Sequence, residues 1–239
     1  MDSKSSRKII AFVVLTAVVF FSTVCVASVR HEEKSRKTIA LEGENCIVAQ
    51  SKSGDITIKG EMGRSEVSLE VIKRVKAENR EEAERLAGLM KVEITRAGGK
   101  LIVKTKYPKG AEVKKSIFSY LLQRCPRMSI DIRLAVPLEL AVEVKTASGD
   151  VSVSDISGSV KVTAASGDAE ISNIGSFLDV TVASGDIEVA KVAKRVGLCS
   201  ASGDISAREI AGDAEISTAS GDIELVDLGG NLQLETASG

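Results

Sequence analysis

Tryptophan is absent, and aromatic residues make up only 3% of the 239-residue chain. Its core must therefore be filled by aliphatic and small side chains, which suits thin stacked β-coils better than a globular enzyme. There is one histidine, His31. No nucleophile–base pair, metal cluster or Gly-rich phosphate loop is present in the sequence. An enzyme is not expected, and neither is a cofactor. No nucleic-acid-binding motif is recognisable. Beyond the N-terminal region the cysteines are Cys46, Cys125 and Cys199, an odd number at unrelated spacings. That is neither a disulfide framework nor a zinc pattern. A Cys46–Cys125 bridge stays open, with free buried thiols as the plainer reading.

The near-neutral total, a formal net charge of -1, conceals two opposite halves. From Thr146 onward fifteen acidic residues face five basic ones, a net of -10, and residues 1–145 carry +9. Such polarity bears on partners and self-association rather than on fold.

Lys4, Arg7 and Lys8 precede an uncharged run from Ile9 to Val29. This pattern directs the following chain across a membrane. Residues 1–29 read as either a cleaved signal, with a small-residue site at Cys25 and Ala27, or an uncleaved anchor, since about 20 residues span a bilayer. Val24 before Cys25 speaks against a lipoprotein. The rest is expected outside the cytoplasmic membrane, anchored or secreted.

The strongest signal is a repeat. Ser-Gly-Asp begins at Ser148, Ser166, Ser184, Ser202 and Ser220, always 18 residues apart, and a sixth Ser-Gly stands in register at Ser238-Gly239. Apolar residues recur within each unit: Val151, Val153 and Ile156 form one inward group, and Val160, Val162 and Ala165 a second, nine residues later. Gly149 and Gly158 share that half-period. Period-2 alternation puts one side chain in and the next out, so Ile187, Val189, Val192, Val196 and Leu198 point inward and Glu188 and Lys194 outward. A single coil has one apolar face and must stack to bury it. Residues 146–239 therefore read as a parallel β-solenoid of 18-residue coils. A β-sandwich of hairpins explains the strict register poorly. The chain stops in mid-repeat at Gly239, which reads as a fragment of a longer frame or as an end that stacks head-to-tail on another copy.

Residues 38–145 read as a small α+β cap on the first coil. Ser53-Gly-Asp-Ile-Thr-Ile58 is an isolated motif copy, Glu66–Ile72 a strand, Arg80–Met90 an amphipathic helix, and 91–94 and 101–105 strands around Gly98-Gly99. Residues 129–136 form another strand, closed by Pro137.

These pieces together resemble the DUF4097 family and the related DUF2807 adhesin-like proteins. The features that carry the likeness are the export segment, Ser53–Ile58, Glu81-Glu-Ala-Glu84, Asp131–Pro137 and the Thr-Ala-Ser-Gly-Asp repeats. The resemblance covers most of residues 40–239. It implies a mainly β protein built as a right-handed, single-stranded β-helix at the cell envelope, and it supplies no catalytic residues.

Two candidate sites follow. The column Asp150, Asp168, Asp186, Asp204 and Asp222 reads as a turn device, each Asp accepting backbone N–H bonds beside a permissive glycine. The alternative is calcium, which would relieve stacked carboxylates. The stretch Arg96–Arg133 holds ten basic residues against Glu112 and Asp131. Lys104, Lys106, Lys109, Lys114, Lys115, Arg124 and Arg127 are its candidate contacts to an anionic surface, with Tyr107, Ile117, Phe118, Tyr120, Leu121 and Leu122 among them. The plainer reading is an insertion over the solenoid mouth with solvated charges. The function expected is a non-catalytic, adhesin-like structural or surface-binding module. The alternative is an envelope sensor or regulator that docks on anionic membrane or wall polymer.

Overall fold

The computed structural model describes residues 28–108 and 126–238. The N-terminal apolar run up to Ala27, the candidates Lys109, Lys114, Lys115, Arg124 and Cys125, the apolar residues Ile117 to Leu122, and Gly239 lie outside the described residues.

The strands are β1 (Val29–Ala40), β2 (Cys46–Ser51), β3 (Ile56–Glu61) and β4 (Glu66–Ala77), then helix α1 (Arg80–Leu89), then β5 (Lys91–Ala97), β6 (Lys100–Lys106), β7 (Arg127–Pro137) and β8 (Ala141–Thr146). The repeats follow as β9 (Val151–Ile156), β10 (Val160–Ala164), β11 (Ala169–Ile174), β12 (Leu178–Val182), β13 (Ile187–Val192), β14 (Val196–Ser200), β15 (Ile205–Ile210), β16 (Ala214–Thr218), β17 (Ile223–Leu228) and β18 (Leu232–Thr236). They form two nine-stranded sheets, ordered β1-β4-β7-β3-β9-β11-β13-β15-β17 and β18-β16-β14-β12-β10-β8-β2-β6-β5.

From Ala141 onward the chain alternates between the sheets, and each strand pairs in parallel with the strand 18 residues away, Ile171 with Val189 and Val180 with Leu198. The 18-residue period is therefore one coil. Inward side chains stack into aliphatic columns, and all five residues expected to point inward around β13 and β14 are at most 2% exposed. Each such side chain gains about 1.5–3 kcal/mol on burial, and the columns make that burial continuous. The core thins at the last coil, where Leu232 and Leu234 are 47% and 44% exposed.

The expected inward Ala165 is exposed, and Ala164 is buried instead. The two half-coils differ at one residue. Asp155 adopts the left-handed region at φ 60, as do Asn173, Lys191, Glu209 and Asp227 at every eighteenth position. This bulged residue swings Val153 and Ile156 to the same side. The other half-coil has no such residue, so Val160, Val162 and Ala164 simply alternate. Left-handed backbone costs an L-residue about 1–2 kcal/mol, less for Asn or Asp. Lys191→Gly is therefore expected to raise the melting temperature by about 2 °C; an unchanged or lower value would refute a strained Lys191.

The parallel stack also takes in strands that precede Thr146. In β3, Ile56 pairs with Val151 on one side and with Ile132 of β7 on the other. In β2, Ser51 pairs with Thr146, and Cys46 with Lys100 of β6. Spatially, β6 and β7 make the first coil, β2 and β3 the second, and β8 and β9 the third. Beyond the first coil, β4 joins β7 and β1 joins β4, both antiparallel, while β5 forms an antiparallel hairpin with β6. The positive φ of Gly98 and Gly99 makes that hairpin turn. Helix α1 closes the front of the core with Ala83, Leu86, Ala87 and the following Met90. Asn79 caps it by accepting the Glu82 N–H at 2.8 Å. Lys73 donates to the Ala87 carbonyl at 3.2 Å, satisfying the far end.

Candidate functional site

The corner between β8-type and β9-type strands is built by Ser-Gly-Asp. The glycine takes positive φ, and a Cβ on it would overlap the carbonyl oxygen of the glycine one coil earlier. The aspartate then accepts the N–H of the next aspartate. Asp150 Oδ1 binds Asp168 N–H at 3.0 Å, Asp168 binds Asp186 at 2.9 Å, Asp186 binds Asp204 at 2.8 Å and Asp204 binds Asp222 at 2.9 Å. Two earlier residues extend this ladder. Asp55 accepts from Asp150 at 3.1 Å, and Asp131 accepts from Asp55 at 3.3 Å.

Asp131 shows that Ser129-Ile130-Asp131 is a disguised copy of the motif. Ile130 stands in the glycine place and donates its N–H to Ser53 O at 3.2 Å, as Gly167 does to Ser184 O. No parallel coil stacks beyond it, so a side chain is allowed there. Asp131 is 5% exposed and ion-paired with Arg74. Burial pushes its carboxyl up, against the opposing pull of Arg74.

Because one oxygen of Asp150, Asp168, Asp186 and Asp204 already holds a backbone N–H, the column does the work of a turn. No melting-temperature difference is expected between millimolar calcium and magnesium. A rise specific to calcium would overturn the turn reading.

The basic candidates separate. Lys106 is paired with Glu93 across the β5–β6 hairpin. Lys104 is exposed on the outer face of the second sheet, and Arg127 is exposed at the start of β7 on the first. Lys104 and Arg127 have no ion pair among the described residues. Sequence reasoning missed the two residues that join Arg127. Lys76 of β4 is its direct cross-strand partner, and Arg30 of β1 is the partner of Lys76. All three are exposed, and neither Arg30 nor Lys76 has an ion pair among the described residues. Two residues along, the same face is neutralised, since Arg74 holds both Glu32 and Asp131. Only the pairing of distant strands brings the row together, so no local motif announces it. Tyr107 fixes the neighbouring corner, donating to Ser53 O and accepting Ile130 N–H at 2.9 Å. Burial pushes its phenol up.

On the second sheet, Lys100 of the first coil reaches Glu143 of the third at 2.9 Å. The pair strides across the second coil, where the outward-facing Val48 stands opposite Glu143 and is 3% exposed. Cys46 lies half-buried beside it, its thiol pushed up by burial. Cys46 and Cys199 are both free. The expectation of buried thiols fails for Cys199, which is exposed because its neighbours Leu198 and Ser200 take the inward positions.

The bulged column borders a groove of about 510 Å³, whose lining includes Asp155, Asn173, Lys191 and Glu209 with Ile156 and Ile174. It is a shallow surface trough. Nearby, Phe177 is 54% exposed, with the Lys194 ammonium 5.2 Å from its ring centre.

A family model described as Toastrack DUF4097 matches residues 44–239. Among solved structures, the chain is similar to a presumed adhesin of Parabacteroides distasonis ATCC 8503, with 14% identity, 85% of this chain and 78% of that one covered, and a TM-score of 0.48. It is similar to a presumed adhesin of Bacteroides fragilis NCTC 9343, with 14% identity, 85% and 97% coverage, and a TM-score of 0.41. It is also similar to a presumed lipid-binding protein of Parabacteroides distasonis ATCC 8503, with 16% identity, 86% and 96% coverage, and a TM-score of 0.36. None of the curated proteins matches the sequence.

Proposed function

This chain belongs to the Toastrack DUF4097 family, and on that premise we propose that it is a non-catalytic module of the cell envelope that works by surface contact. The observation that carries this reading is the uninterrupted winding. From β8 to β18 successive strands are joined by only three or four residues. Walled active sites need longer loops or a deep cleft to converge polar groups on one point. Here the side-chain chemistry is spread along flat columns, and the most regular of them, the Asp ladder, is engaged with backbone. What remains for recognition is broad faces and edges.

The N-terminal run from Ile9 to Val29 supports an envelope location, as cleaved signal or anchor. Protease treatment of intact cells, after removal of any outer layer, tests this. Digestion of the β-coils without lysis is expected. Protection of the chain until the cytoplasmic membrane is broken would sink the proposal.

A second reading, docking on an anionic surface, is favoured by the exposed cations Lys104 and Arg127 beside the 109–125 segment. Its candidates Lys109, Lys114, Lys115 and Arg124 belong to that segment.

A further inference from the structure

We infer that Arg30, Lys76 and Arg127 form a headgroup-binding row that holds the front of the stack against an anionic lipid surface. This rests on the docking reading above and assigns it to different residues.

The three lie directly opposite one another on β1, β4 and β7. Directly opposed residues of an antiparallel pair share a face, with side chains roughly 5 Å apart. Like charges at that spacing destabilise a sheet unless something neutralises them. No acidic side chain among the described residues does so. Farther along these strands Glu32 and Asp131 are already held by Arg74, and Glu32 also by Lys34, while Glu78, two residues past Lys76, makes no ion pair among the described residues. Most cations elsewhere are paired, including Arg36, Arg64, Arg80, Arg85, Arg96, Lys100, Lys161, Arg195 and Arg208. The row is thus an exposed, uncompensated line of three positive charges, and its missing counterion is a set of phosphates at similar spacing.

The occupant follows from where the chain continues. The row's first member is the second residue of β1, and the uncharged run Ile9–Val29 joins the fold there. That run has the length and apolarity to enter a bilayer. Any bilayer holding it lies within a few residues of Arg30, so the phosphates nearest the row are lipid headgroups. The rest of the stack, net -10 from Thr146, is repelled by the same surface. The front end then faces the membrane and the acidic coils face away.

The test uses the full chain and vesicle flotation. Vesicles of neutral phosphatidylcholine are compared with vesicles containing about one third phosphatidylglycerol. The apolar run contributes to both, so the row is read as the preference for anionic vesicles. At about fivefold per basic residue near an anionic surface, the preference due to the row is on the order of 100-fold at low salt. Arg30→Gln, Lys76→Gln and Arg127→Gln combined are expected to abolish it. Lys37→Gln, Lys191→Gln and Lys194→Gln remove equal charge at exposed sites elsewhere and are expected to keep it. Arg127→Gln alone, a mild change at a strand end, is expected to lose about fivefold and guards against misfolding of the triple variant. A triple variant that folds and keeps the preference would overturn the row while leaving anionic docking through other residues intact. A native chain that does not distinguish the two vesicles would overturn both. So would equal loss in the control variant, which would make the effect one of net charge. Row-dependent binding to soluble polyphosphate without vesicle preference would assign the row to a polymer and overturn the lipid assignment.

Discussion

Gly185→Ala will destabilise the stack by about 3 kcal/mol, lowering the melting temperature by roughly 6–12 °C. Gly185 sits at φ 134, a region closed to residues with a side chain. A Cβ would overlap the Gly167 carbonyl oxygen, with Asp168 Oδ1 only 3.1 Å away on another side. The backbone cannot step aside cheaply. Gly185 N–H donates to Ser202 O at 3.1 Å, and Asp186 N–H donates to Asp168 Oδ1 at 2.9 Å. Relief at one coil therefore breaks bonds on both sides. Backbone strain of about 1–2 kcal/mol and overpacking of about 1–3 kcal/mol add to the stated loss. Gly88→Ala is the matched control. Gly88 lies in α1 with nothing near its Cβ position, so alanine there is expected to stabilise by about 0.5–1 kcal/mol. If both variants melted with the parent, the close stacking of glycine on carbonyl would be wrong.

The second large effect is expected from Val189→Asp. Val189 is 0% exposed and stands between Ile171 and Ala207 in one inward column. A carboxylate there meets only aliphatic neighbours in the column and has no cation to pair with. It must be buried charged or take up a proton, and either route costs several kcal/mol. Val189→Ala removes volume alone and is expected to cost clearly less. Because each coil is held mainly by its neighbours, a broken coil also uncouples the coils on either side. Melting followed by circular dichroism should show the Asp variant unfolding well below the Ala variant. Equal melting of the two would mean that Val189 does not face the core.

Much of this architecture is legible in the sequence because its period is a physical repeat. Ser148, Ser166, Ser184, Ser202 and Ser220 mark one corner, and the Ile and Val columns follow from alternation alone. The slip from Ala164 to Ala165 arose because two half-coils of similar composition differ by one left-handed residue, which composition does not encode. The two front coils were harder still. Ser53-Gly-Asp appears once, far from the other copies, and Ser129-Ile130-Asp131 lacks the glycine because no coil presses on it. The basic row was illegible for another reason. Arg30, Lys76 and Arg127 are distant in sequence and meet only through the register of β1, β4 and β7. Arg127 alone stood within a recognisable basic stretch.

The order of the front coils governs how the molecule can assemble. The second coil, residues 46–61, is made first, yet its neighbours come from residues 100–137 and 141–156. A chain emerging N-terminus first therefore carries an unsatisfied layer until about residue 156 has appeared. Closing those long loops is slow, because their entropy is lost before the contacts that offset it form. After that point the problem changes character. Every further 18 residues find a finished template and need only two corners of three and four residues to reach it, so growth is local and one-way, like a zip. Chains cut after Ile156, Ile174 and Val192 should reflect this with stepwise rising melting temperatures and nearly constant folding rates. The nucleus sets the speed, and the repeat supplies the length.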